Sequence, residues 1–136
     1  MAVPQNMPTG DGADQPSIRE WLSEARAAID RVDPADLAAE LAAGAVLVDT
    51  RDSADRATEG QLPGALVITR NLLEWRLAPS SPNRLFTVHE DSRVIIVCND
   101  GFSSSIAAAT LRRLGLRRAA DLSGGYRAWR AATAAG

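Results

Sequence analysis

The chain contains one cysteine, Cys98, which is followed by Asn-Asp-Gly-Phe and three serines. The four residues before it, 94–97, are all valine or isoleucine. Such a continuous apolar run is typical of a strand that is buried on both faces of a parallel sheet. The periodic segment 103–114 predicts a helix. We therefore expect Cys98 at the carboxyl end of a strand, where the ligand sites of open α/β sheets lie.

This predicted strand–loop–helix unit can stabilise a thiolate, the nucleophilic form of cysteine. The loop N–H groups can turn toward the sulfur, and the following helix directs the positive end of its dipole to the same point. Gly101 permits the backbone of a tight loop. One of the three serines is expected to cap the helix, and another can donate to bound sulfur. An inert buried cysteine remains the alternative. The candidate loop residues are Asn99, Asp100, Gly101, Phe102, Ser103 and Ser104, around a catalytic Cys98.

The rest of the chain supplies elements that can hold such a loop. Residues 1–16 lack apolar periodicity and predict a disordered leader, and residues 17–136 predict a single domain. Ser17 and Glu20 have the spacing of a capping box at the start of a helix, and Gly44 ends a second helix. Strands alternating with helices predict an α/β fold, a parallel sheet with helices on both faces. The predicted strands are residues 45–48, 65–68, 94–97 and 118–122.

Composition excludes several classes of function. The formal net charge is −2, which gives no electrostatic case for binding nucleic acid or an anionic membrane. No segment approaches the roughly 20 apolar residues of a membrane span, and a single cysteine suits the reducing cytoplasm. There is no metal-ligand cluster and no nucleotide-binding glycine pattern, so we expect neither metal nor organic cofactor. We expect a cytoplasmic protein with small-molecule partners.

Four motifs resemble those of the rhodanese-like family and occur in the same order as in that family. The resemblance covers residues 46–129 and implies the rhodanese fold, with about five parallel strands between helices. It also implies a sulfurtransferase in which Cys98 carries sulfur, as a persulfide, from thiosulfate or a persulfide to a thiol or cyanide. The resemblance also leaves room for a partner protein that carries the sulfur as a persulfide. The motifs are Asp49-Thr50-Arg51, the turn at residues 60–65, the loop at residues 98–104, and Leu-x-Gly-Gly-x-x-x-Trp at residues 122–129.

The loop departs from the family pattern in its charge. Asn99, Phe102 and Ser103 stand where many thiosulfate-using members place Arg or Lys, and Asp100 adds a negative charge. These residues leave persulfide chemistry open, but they disfavour the thiosulfate dianion as the natural donor. Gln61 replaces the usual histidine of the turn, a change that we expect to be structural.

Arg51 is the best remaining cation for a substrate, if its role carries over from the family motif. The equally weighted alternative is that Arg51 pairs with Asp49 or Glu59. Further along the chain, Arg70 and Glu74 follow a predicted strand and could shape the rim of the site, but a solvated helical face is the favoured account of their charges.

Other functions stay open beside sulfur transfer. The main alternative is a rhodanese-like module used for protein binding or sensing without catalysis. A cysteine-based phosphatase needs an arginine six residues after its cysteine, where this chain has Ser104. A cysteine hydrolase needs a histidine beside the thiol. The one histidine, His89, precedes a strand that spans about 16 Å, so we expect it near the other end of the sheet.

Overall fold

Five strands run parallel in the order β1-β5-β4-β2-β3, in a computed structural model that describes residues 14–135. None of the helices in this range is long and apolar enough to cross a membrane. Most of the predicted leader, residues 1–13, lies outside the described residues. The strands are β1 (Asp30–Val32), β2 (Val46–Asp49), β3 (Leu66–Val67), β4 (Arg93–Val97) and β5 (Arg118–Leu122). The α-helices are α1 (Ile18–Ala27), α2 (Leu37–Ala42), α3 (Ser53–Glu59), α4 (Leu73–Leu77), α5 (Ser103–Arg113) and α6 (Gly125–Ala135), with short 3-10 helices at Pro34–Asp36 and Arg70–Leu72.

Strand β4 is the centre of the sheet, as its apolar run predicts. It lies between β5 and β2, and its four apolar residues are fully buried. Alternate side chains of a strand point to opposite faces. Val94 and Ile96 accordingly pack in the core that includes Ala107 of α5, whereas Ile95 and Val97 pack in the core of the other face. Because both faces are covered, the strand is held rigidly up to the residue before Cys98.

The α/β fold with a parallel sheet is confirmed, and so are the Ser17–Glu20 capping box and the end of the second helix before Gly44. The sequence pattern missed edge strand β1, because only Val32 of its three residues is buried. It also missed α3, which buries no side chain and is capped by Asp52, whose carboxylate accepts from the Asp55 N–H. Short elements with exposed side chains carry no apolar periodicity.

The turn between β5 and α6 packs directly against the cysteine loop. The N–H of Tyr126 donates to the Cys98 carbonyl at 2.9 Å, and the N–H of Arg127 donates to the Asn99 carbonyl at 3.1 Å. Gly125 has a left-handed φ of +68°, and a Cβ atom there would lie 2.6 Å from the Cys98 carbonyl oxygen. Only glycine allows this approach of the two segments.

Gly125→Ala is expected to lower the free energy of unfolding by about 3 kcal/mol, from left-handed strain and from the clash with the loop. Gly44→Ala is the matched control, because Gly44 also has a positive φ but a Cβ atom there meets nothing within 4 Å. The control should lose only about 1 kcal/mol. Urea unfolding measures both, and equal losses would show that the packing of the turn on the loop adds nothing.

Candidate active site

Cys98 lies in a cleft of about 530 Å³ at the carboxyl edge of the sheet, and 7% of the residue is exposed. The cleft is formed where the segments after β2, β3 and β4 meet, as expected for a parallel α/β sheet. The residues that line it are Thr50, Arg51, Asp52, Thr69, Arg70, Asn71, Cys98, Asn99 and Ser103.

The sulfur is surrounded by hydrogen-bond donors from its own loop. The N–H groups of Gly101 and Ser104 point at Sγ from 3.2 and 3.4 Å. The Cys98 thiol donates to Ser104 Oγ at 3.2 Å. The predicted amide cradle is therefore present within the loop.

Helix α5 begins without the serine cap that the sequence predicts. Its N-cap residue is Phe102, which forms no capping bond, and the three serines lie inside the first turn. An N-cap side chain normally accepts from the second or third N–H of a helix. Cys98 Sγ accepts from the second N–H, that of Ser104, and so takes the place of the cap. The positive end of the helix dipole is thus directed at the sulfur.

These contacts set the acidity of the thiol. Burial of Cys98 raises its pKa, since it disfavours the charged thiolate. The hydroxyls of Ser104 and Ser103 and the N–H groups of Ser104 and Gly101 act in the opposite direction and prevail, so the pKa lies below its ordinary value. The loop therefore favours the nucleophilic form.

A buried network that the sequence analysis missed supports the loop from behind. Asp121 on β5 accepts from Ser104 Oγ at 2.8 Å and from Arg31 Nε at 3.0 Å. Arg26 and Arg31 also donate to the Gly101 carbonyl, at 2.9 and 3.0 Å. The available signal was an aspartate inside an otherwise apolar strand, since a buried carboxylate needs partners.

Arg51 lies beside the cleft, and its guanidinium is occupied at Nε and Nη2, whereas Nη1 is buried without a hydrogen-bond partner. Its Nη2 is 2.8 Å from Asp49 Oδ2 and 2.9 Å from the Gly60 carbonyl oxygen, and its side chain is fully buried. The guanidinium carbon stacks 3.7 Å from the ring centroid of Tyr126. Of the two alternatives for Arg51, the geometry corresponds to pairing with Asp49, and Glu59 is not its partner.

The other loop residues divide into two groups. Asn99 and Ser103 line the cleft, and the Asn99 amide is held by Asp55 at 3.0 Å. Asp100 instead directs its carboxylate at Arg127 of α6, at 2.7 Å, so an arginine compensates its charge. Phe102 is exposed.

Arg70 lines the cleft, which is the less favoured of the two placements expected for it, and it also keeps a solvated position on a helical segment. It begins a 3-10 helix after β3, and its Nη1 is 2.8 Å from Glu74 Oε1. Its side chain is 41% exposed, so its guanidinium is open to solvent in a way that the buried guanidinium of Arg51 is not. The position of Arg70 after a strand indicated the rim of the site as one possibility, but whether its side chain reaches the cleft depends on how the segment after β3 folds back toward β4.

His89 lies where the sequence predicts. It is exposed in the loop before β4, at the opposite end of that strand from Cys98, and its N–H donates to Ser92 Oγ. It is therefore not a partner for the thiol.

The fold and the site agree with the comparisons with known proteins. Residues 33–132 match the model of the Rhodanese-like domain, and the chain belongs to this family. No curated protein matches it.

Solved structures extend this assignment. A protein of unknown function from Rhodopseudomonas palustris, described as a possible tyrosine phosphatase, is 32% identical with a TM-score of 0.77, and the match covers 97% of each chain. The human single-domain sulfurtransferase is 29% identical with a TM-score of 0.58, and the match covers 74% of this chain and 95% of that one. A thiosulfate sulfurtransferase from Pseudomonas aeruginosa is 28% identical with a TM-score of 0.60, over 77% of this chain and 18% of that one.

The rate of Cys98 alkylation is expected to rise with pH and to reach half its maximum below the pH of about 8.5 at which a free cysteine titrates. The lowered pKa of Cys98 sets this direction, since the thiolate is the reacting form. The same chain unfolded in urea is the control and should titrate at the ordinary value. A folded-state midpoint at or above that of the unfolded chain would show that the loop does not stabilise the thiolate.

Proposed function

We propose that this chain is a sulfurtransferase in which Cys98 carries sulfane sulfur as a persulfide. The observation that carries the proposal is the position of Sγ, at the floor of an open cleft and bonded by two loop N–H groups. This arrangement favours a thiolate and leaves room for a small donor above it. The membership of the chain in the rhodanese-like family and its likeness to two sulfurtransferases support the same chemistry.

In the first step the Cys98 thiolate attacks the outer sulfur of the donor. A sulfur–sulfur bond forms to Sγ while the bond between the outer sulfur and the rest of the donor breaks. The electron pair leaves with that remainder, which is sulfite from thiosulfate or a thiolate from a persulfide. The cradle then faces a persulfide, whose outer sulfur carries the negative charge or a proton.

In the second step a nucleophile attacks the outer sulfur and takes it away. Cyanide becomes thiocyanate, and a small or protein-bound thiol becomes a persulfide, while Sγ leaves as the thiolate. No net oxidation or reduction is needed, and no cofactor enters the cycle. The reducing cytoplasm, which suits a lone cysteine, supplies thiol acceptors.

Phosphatase chemistry is less well supported, although it is suggested for the Rhodopseudomonas palustris protein. A phosphate cradle needs a guanidinium beside the loop amides. The position six residues after Cys98 is Ser104 rather than arginine. Of the guanidinium groups bonded to this loop, those of Arg26 and Arg31 donate to the Gly101 carbonyl and that of Arg127 pairs with Asp100. The cleft residue Arg70 comes from another segment and is paired with Glu74. A non-catalytic binding module would not require a sulfur held by two N–H groups at the floor of a cleft.

Cys98→Ser is expected to fold normally and to lose sulfur transfer to the uncatalysed background, because a serine hydroxyl cannot form a persulfide. Thiocyanate formation from thiosulfate and cyanide, and persulfide transfer to a thiol, measure the activity. Matching urea midpoints for the variant and the wild type provide the control for folding. Substantial transfer by the variant would refute the mechanism, and hydrolysis of an aryl phosphate by the wild type alone would favour the phosphatase.

We propose that Arg70 helps to determine which sulfur donor the protein uses. Its guanidinium is the more solvent-accessible of the two that line the described cleft, and Glu74 orients it without burying it. An anionic group on the donor can accept from it while the outer sulfur lies over Cys98. Arg70 thus provides the positive charge that the loop itself lacks.

Arg70→Gln is expected to reduce kcat/KM for thiosulfate about tenfold, equivalent to about 1.4 kcal/mol of a charge-assisted hydrogen bond in a solvated cleft. For a donor without an anionic group near its outer sulfur, the same substitution should change kcat/KM less than about twofold. Arg113→Gln makes the same change of charge at the far end of α5 and is the matched control. Equal effects of the two variants would remove Arg70 from donor binding.

A further inference from the structure

Asp121 is a fully buried carboxylate that the proposed sulfur-transfer cycle does not use. Its Oδ2 accepts from Ser104 Oγ at 2.8 Å, from Ser105 Oγ at 2.7 Å and from Arg31 Nη2 at 3.2 Å. Its Oδ1 accepts from Arg31 Nε at 3.0 Å. A carboxylate in this environment is expensive to bury, and Arg31 and the two hydroxyls offset the cost.

The link from Asp121 to the sulfur is the Ser104 hydroxyl. This group has one proton and two acceptors within reach, Asp121 Oδ2 at 2.8 Å and Cys98 Sγ at 3.2 Å. With Cys98 as a thiol, the S–H donates to Ser104 Oγ and the Ser104 O–H donates to Asp121. With Cys98 as a thiolate, the sulfur needs a donor and attracts the same proton. The carboxylate and the thiolate thus compete for one hydrogen bond.

We propose that Asp121 is a positioning residue that directs the Ser104 hydroxyl and thereby limits the fraction of Cys98 present as thiolate. The loop N–H groups favour the thiolate, and Asp121 opposes them by holding the Ser104 proton. In the persulfide Sγ carries neither a proton nor the charge, so Ser104 can donate to Asp121 without loss to the sulfur. Asp121 therefore favours the sulfur-loaded state over the free thiolate, a consequence that rests on the proposed function.

The other charged groups around Cys98 lack this link through a shared hydroxyl. Arg26 and Arg31 face the loop from behind and donate to the Gly101 carbonyl. The groups on the remaining sides have partners of their own, and they act on the sulfur only through space. They are Asp49 with Arg51, Asp100 with Arg127, Arg70 with Glu74, Asp55 with Asn99, and Asp52 at the start of α3.

The test is the apparent pKa of Cys98, taken from alkylation rate against pH, in a double-mutant cycle. Asp121→Asn should lower it by about one unit, a tenfold change in the thiol–thiolate ratio, because Ser104 becomes free to donate to sulfur. In a Ser104→Ala background the same substitution should change the ratio less than about twofold. Alkylation needs no sulfur donor, so the result is independent of whether the chain transfers sulfur.

A matched control removes the other hydroxyl. Ser105→Ala deletes one donor to the same carboxylate oxygen but no contact with Sγ, so it should not lower the apparent pKa of Cys98. Any change should be a small rise, because Asp121 then holds the Ser104 proton more tightly. If Asp121→Asn does not fold, Arg31→Gln makes the test with the opposite sign. Arg31→Gln removes a competing donor, so Asp121 holds the Ser104 proton more tightly. The apparent pKa of Cys98 should therefore rise, but only in protein that retains Ser104. Equal shifts with and without Ser104, or no shift in any variant, would overturn the proposal.

Discussion

The first turn of α5 has N–H groups that need an acceptor, and the acceptor is the sulfur of Cys98 rather than a capping side chain. Sulfur can occupy that point only because β4 is held rigidly up to Val97 and the loop then turns tightly through Gly101, whose φ is +86°. The first residue of α6 completes the arrangement, since Gly125 approaches the Cys98 carbonyl too closely for any other residue type. Sheet, loop and helix therefore depend on one hydrogen-bonding requirement.

Two ion pairs flank this loop, and in each of them a buried aspartate at or near the end of a neighbouring strand is the acceptor. Asp49 and Arg51 join the end of β2 to Tyr126 of α6, and Asp121 with Arg31 joins β5 to β1 and to the first turn of α5. Buried pairs recover little net stability once desolvation is counted, so their main effect is on geometry. Each pair fixes its segment, because movement would leave a buried carboxylate without its partner.

Local sequence signals predicted the central part of this account. The apolar run of β4, the tight loop through Gly101 with its N–H directed at the sulfur, and the capping box at Ser17 are each determined within a few residues, and each is present as predicted. The signals failed where long-range packing decides. The position of Arg70 after a strand left the rim of the site and a solvated face as alternatives, and only the path of the chain after β3 decides between them. The partners of Asp121 come from β1 and α5 and had no signal in the sequence. A helix cap supplied by a cysteine is likewise invisible to patterns that look for serine.

The central claim is that Cys98 carries sulfur, and a mass measurement tests it most directly. The reduced protein is incubated with thiosulfate or a low-molecular-weight persulfide, freed of donor, alkylated and measured intact, with the peptide that contains Cys98 sequenced by fragmentation. The account predicts one additional sulfur atom on Cys98 in most molecules, which disappears when cyanide or a thiol is added before alkylation. An unmodified Cys98 in protein that still converts donor and acceptor to products would contradict it.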